Sequence, residues 1–158
     1  MKKAIIIQGP SGVGKTTLAK EICKKYYYKH CDADAFKLIF SPIRSRERSE
    51  IGDAVCYEYA CELVNRGHNV LIEAIPDELL NKLKRKLSKQ KYSIQEISLI
   101  APVELCVKRD STRTDRKYGK KVIEEVHASL LYKRGLVIDA SNKNTKQILR
   151  KIESKTKL

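Results

Sequence analysis

The stretch Gly9-Pro10-Ser11-Gly12-Val13-Gly14-Lys15-Thr16 decides the fold. It fits the pattern GxxxxGK[ST] and stands between an apolar β-branched run at 3–8 and an amphipathic run at 15–26. A loop of this composition, leaving a strand and opening a helix, is built to hold phosphate. Its glycines let the backbone curl until several N–H groups point at one place. The helix start adds positive dipole there. Gly9, Ser11, Gly12, Val13, Gly14, Lys15, Thr16 and Thr17 are the expected nucleotide cradle. In such a loop the lysine, here Lys15, bridges the β- and γ-phosphates, and the hydroxyl of Thr16 ligates Mg²⁺.

Outward from the loop, strand and helix patterns alternate. That predicts an α/β fold, a three-layer sandwich on a mostly five-stranded parallel sheet. Strands are expected at 3–8, ending at 31–34, and at 69–74, 93–100 and 136–140. Helices are expected at 15–26 and 49–66, from Pro76, from Pro102, and at 122–133 and 145–153. Within 49–66, Ile51, Val55, Tyr59 and Leu63 recur every four residues and predict the buried stripe, with Gly67 as the cap. One domain is expected over 1–158, with a lid segment at about 108–121.

The chain has 158 residues, a net charge of +14 and 42% hydrophobic residues. That is enough apolar material for a core and excludes wholesale disorder. No apolar run approaches the roughly 18–20 residues of a membrane span. Met1-Lys2-Lys3 precedes only a short apolar stretch ending at Gln8-Gly9, so no secretory signal is read and a cytoplasmic location is expected. Cys23, Cys31, Cys56, Cys61 and Cys106 form no CxxC pair and read as reduced, packed thiols. The charge points to acidic ligands, and its densest part is residues 80–121, which hold 13 Lys and Arg against 4 Asp and Glu.

Ligands of open α/β sheets bind at the carboxyl ends of strands. Asp32 and Asp34 stand at the expected end of the second strand, where positions i and i+2 share a face. Asp34 is the candidate general base for an attacking hydroxyl, and Asp32 belongs to the Mg²⁺ shell. The competing reading makes both turn or N-cap residues. Glu73 ends the third strand and is the candidate Mg²⁺ carboxylate, or else a helix-entry acid before Pro76. Arg109, Arg113 and Arg116 fall on one face in helical phase, as a lid that neutralises transferring phosphate or as a solvated helix paired with Asp110 and Asp115. Residues 36–48 mix Phe36, Phe40 and Ile43 with Arg44, Arg46 and Arg48, which suits an anionic acceptor with a stacking surface. Ordinary packing beneath a solvated basic loop is the other reading. Asn142-Lys143-Asn144-Thr145 begins like the NKxD base-selecting motif of GTPases but lacks the Asp, and no DxxG occurs. A motor or AAA-type ATPase needs a longer chain.

Together these residues resemble the P-loop kinase superfamily, in the group of chloramphenicol phosphotransferase, polynucleotide 5′-hydroxyl kinase and adenylylsulfate kinase. Asp34 with Lys37 resembles the Asp-x-x-Arg of polynucleotide kinases, with Lys in place of Arg. Glu73 matches an Asp of many relatives. Residues Arg109 to Arg116 are similar to the R-x3-R-x-D-R of chloramphenicol phosphotransferase, and His127 follows Val126 as in that enzyme. The run from Leu136 to Ser141 resembles both that enzyme and adenylylsulfate kinases. The resemblance implies Mg·ATP as donor and phosphorylation of a hydroxyl on a small molecule or nucleotide-like acceptor. A polynucleotide 5′-hydroxyl kinase, and a nucleotide-driven ATPase switch without acceptor, are the alternatives.

Overall fold

The computed structural model describes residues 1–114, 117–129 and 134–158. Its elements follow in the order β1 (Lys3–Gln8), α1 (Lys15–Tyr26), β2 (Lys29–Asp32), α2 (Ala33–Phe40), α3 (Arg46–Asn65) and β3 (Val70–Glu73). Then come α4 (Asp77–Lys89), β4 (Ser93–Ile100), α5 (Val103–Ser111), α6 (Lys120–Ser129), β5 (Leu136–Asp139) and α7 (Thr145–Glu153). The strands form one parallel sheet in the order β2-β3-β1-β4-β5, with helices on both faces. The α/β expectation therefore holds.

Burial along the strands follows their place in that order. In β1, Ala4, Ile5, Ile6 and Ile7 are at most 1% exposed, as a strand covered on both faces requires. All of β3 is buried. The edge strand β2 begins with an exposed Lys29, which discourages pairing with another chain. Among the described helices, none is long and apolar enough to cross a membrane.

Contacts divide the chain into two compact units, residues 1–6 with 22–95, and residues 7–21 with 96–158. The first has a core of Ala4, Ile6, Val70, Ile72, Leu80, Leu83 and Leu87 with the small residues Cys56 and Ala60. In the second, Ile97, Leu99, Cys106, Ile123, Ile138 and Ile152 are buried.

Several expectations are corrected. The second strand stops at Asp32, and Asp34 lies in the first turn of α2, so the two aspartates do not share a strand face. Helix α3 does not bury the stripe of Ile51, Val55 and Tyr59, which are 37%, 45% and 39% exposed. It buries Gly52, Asp53, Cys56, Ala60, Cys61 and Val64 instead. The reason is closeness: a Cβ on Gly52 would stand 2.8 Å from the Lys37 nitrogen, so α2 sits directly on the small-residue face. Pro76 and Pro102 cap their helices from outside rather than opening them. Helix α6 begins two residues early, at Lys120, and the expected continuation at 130–133 lies outside the described residues. Gly67 caps α3 as expected, with its N–H on Val64 O and that of His68 on Leu63 O, both 3.0 Å.

Candidate active site

The phosphate loop is made of backbone. Gly12 has φ +81°, and a Cβ there would collide with the Cys106 carbonyl on α5. A Cβ on Gly9 would stand 2.5 Å from Leu99 O. The loop therefore lies against main chain at both positions, where no side chain fits. Beside Gly14 none of the described residues lies within 4 Å of such an atom, so among them the loop is open on that side. Val13 anchors it, buried to 1% exposure. Lys15 Nζ donates to Gly9 O at 2.8 Å and Pro10 O at 3.0 Å, so the ammonium already reaches across the loop. A closed backbone cradle with one open side and a lysine over it fits a polyphosphate.

Arg109 joins this loop to the exit of β5. Its guanidinium donates to Val13 O at 3.3 Å, Ala140 O at 2.9 Å and Ser141 O at 3.4 Å. Of the expected common face of Arg109, Arg113 and Arg116, the helical phase does not carry from Arg109 to Arg113. Helix α5 ends at Ser111 with Thr112 as its cap, Arg113 follows outside the helix, and Arg116 lies outside the described residues. Asp110 sits just before that end, 2% exposed. Its carboxylate accepts from Tyr118 N at 3.0 Å and Gly119 N at 2.9 Å, turning the chain back. Asp110 is thus a buried loop anchor and not a surface ion-pair partner.

In the other unit, parallel pairing of β2 and β3 sets Asp32 beside Glu73. Asp32 caps α2, its Oδ1 accepting from Asp34 N at 3.0 Å, which is the N-cap role weighed above. His30 lies two residues back on the same strand face, and its Nε2 is 2.7 Å from Glu73 Oε1. Ligand atoms of His30, Asp32 and Glu73 all lie within 4.8 Å of one another, with both acids buried. Oxygens from two buried carboxylates are the donor set that suits a hard divalent cation such as Mg²⁺. The histidine is a residue that sequence reasoning missed, since 43 residues separate it from its partner. Strand alternation is the signal that places it with Asp32.

Asp34 is a quarter exposed, and Lys37 Nζ lies 3.5 Å from its Oδ1. The same ammonium lies 2.8 Å from Asp53 Oδ1, an ion pair by distance but poorly aligned as a hydrogen bond. Burial pushes the Asp53 carboxyl up, while Lys37 holds it down. Arg48, expected to meet the acceptor, is buried and donates from Nε to Lys37 O at 3.0 Å. Arg46 pairs with Glu50 at 2.6 Å. The region offers apolar surface outward beside the exposed Arg44 and Arg46: Ile39, Phe40 and Ile43 are 80%, 46% and 76% exposed.

All five cysteines are free. Burial pushes the thiol of Cys23 up to about 11 and that of Cys56 up to about 12, so both stay protonated and unreactive.

Residues 3–157 match the family model described as the NACHT domain. No curated protein matches the chain. In fold it is similar to a sugar kinase from Janibacter sp. HTCC2649, at 20% identity over 97% of this chain and 94% of that one, with a TM-score of 0.71. A gluconokinase from Sinorhizobium meliloti 1021 shares 16% identity over 94% and 87%, with a TM-score of 0.67. The APS kinase of Mycobacterium tuberculosis, in complex with AMPPNP and APS, shares 17% over 97% and 96%, with a TM-score of 0.64.

Proposed function

Because the chain belongs to the NACHT domain family of P-loop NTPases, we propose that it is an ATP-dependent kinase that phosphorylates the hydroxyl of a small molecule. The observation that carries the step from NTPase to kinase is Asp34. It is a partly exposed carboxylate in the first turn after β2, fixed through the Asp32 cap and paired with Lys37. A carboxylate in that position can take the proton of an acceptor hydroxyl as the phosphoryl group transfers. The fold likeness to kinases over nearly the whole chain supports the same reading.

In this reading Lys15 and the loop amides bind and orient the phosphates, and Arg109 keeps the loop in shape from behind. Asp34 accepts the proton of the acceptor hydroxyl. Thr16, Asp32 and Glu73 hold Mg²⁺, which when bound neutralises charge on the transferring phosphoryl group. Arg113 and Arg116 belong to the segment that closes over the nucleotide.

The test is transfer of labelled γ-phosphate across nucleosides, 5′-hydroxyl oligonucleotides, adenylylsulfate, sugars and hydroxylated antibiotics. Label is expected on a small molecule. ATP hydrolysis that no hydroxyl compound raises would replace this reading with a nucleotide-driven switch. Label on the oligonucleotides alone would make it a polynucleotide kinase.

A further inference from the structure

A cavity of about 350 Å³ opens beside Gly9 and Pro10, within the unit that carries the phosphate loop. That volume suits a ligand the size of a sugar or nucleoside. Its wall along the end of β4 is apolar, from Ile100 to Pro102. Among the described residues that line it there is no Lys or Arg.

The polar groups there are chiefly acceptors. Asp139 Oδ1 accepts from Ser141 N at 2.8 Å and Ser141 Oγ at 2.5 Å. These bonds hold its carboxyl below the usual carboxylate range, so it is charged at neutral pH. His127 Nε2 lies 3.0 Å from Ala101 O. A carbonyl only accepts, so Nε2 carries the proton and a neutral ring keeps its lone pair on Nδ1. Gln8 adds an amide, which gives and takes.

We propose that this cavity is a ligand site that borders the phosphate cradle and shares Gly9 with it, and that it takes an uncharged or amine-bearing polyhydroxylated small molecule with one apolar face. Hydroxyl and ammonium donors complete the acceptors at Asp139 and His127. A phosphate- or carboxylate-bearing compound meets the Asp139 charge with no Lys or Arg among the described residues that line the cavity, while Lys143 and Lys151 act on Asp139 from outside that lining. The preference runs opposite to the one suggested by the +14 charge of the chain. It does not depend on the phosphotransfer reading.

The test is saturation-transfer NMR on the full chain with three probes: methyl β-D-glucoside, 2-deoxystreptamine and glucose 6-phosphate. The first two are expected to bind, and the phosphate at least roughly tenfold more weakly. Asp139→Asn should weaken 2-deoxystreptamine about tenfold, and Gln8→Ala should weaken the glucoside several-fold. Mg·ATP should displace neither probe. Preference for glucose 6-phosphate, binding unchanged in both variants, displacement by Mg·ATP, or no binding by either neutral or amine probe would each overturn the proposal. Label passing from ATP to a bound probe would add that the ligand is the acceptor, and its absence leaves the site standing while counting against the kinase reading for that compound.

Discussion

The phosphate loop at 9–16 and the exit of β2 at 30–34 both stand where a strand gives way to a helix, yet they are built from different material. The loop is a long excursion whose shape rests on missing side chains: a Cβ on Gly9 or Gly12 would meet the main chain of Leu99 or Cys106. The β2 exit has no loop at all, since the strand ends at Asp32 and the helix begins at Ala33. Its order comes from side chains: Asp32 on Asp34 N, His30 on Glu73, and Lys37 between Asp34 and Asp53. A backbone-built site tolerates changes of side chain that leave its glycines alone. A site built from side chains keeps its backbone but loses its geometry piece by piece.

The largest effect separates chemistry from fold within the loop. Lys15→Ala should lower γ-phosphate transfer by about 10²–10³-fold or more with the far-UV circular dichroism unchanged. Undiminished transfer by this variant would remove the loop lysine from the mechanism. At the β2 exit, Asp34→Asn should lower kcat by about 10²-fold or more while ATP affinity hardly moves. Equal losses in both would make Asp34 a binding residue instead. Gly12→Ala tests the claim that the loop is backbone-limited. Urea unfolding should show a loss of about 2–3 kcal/mol, from a positive φ and a collision with the Cys106 carbonyl. A smaller loss means that α5 moves aside. His30→Gln should cost about 1 kcal/mol, and a cycle with Glu73→Gln should recover a coupling of about that size. Additive losses would show that the 2.7 Å contact contributes nothing of its own. The smallest effect is expected at the surface: Arg46→Ala breaks an exposed pair with Glu50 and should leave the midpoint of thermal unfolding where it is.

The same division explains what the chain disclosed in advance. The bounds expected for β1, α1, β4 and α7 match those observed, because a strand or helix with its own punctuation is specified by adjacent residues. Asn144 and Gln147 even supply a complete capping box at the start of α7. Helix α3 misleads for a definite reason. Its larger apolar side chains make the cleaner stripe, but its smaller ones allow the closer approach to α2, and close packing wins. The helical phase from Arg109 to Arg113 failed in a similar way. A helical phase from Arg109 to Arg116 presumes a continuous helix, while Asp110 draws Tyr118 and Gly119 back toward α5. Nothing near Asp110 in sequence signals that its carboxylate is buried.

The amino-acid sequence by itself determined the phosphate loop, the order of the five strands and of every helix but α2, and the acidic residues at the strand exits. Each depends on backbone conformation within a contiguous segment, which residue type controls directly. Only the tertiary structure decided which face α3 buries, that His30 meets Glu73, that Arg109 is held on three carbonyls, and that Arg48 is committed to Lys37. Those outcomes are contacts between residues far apart in the chain, set by which surfaces fit most closely once the segments meet.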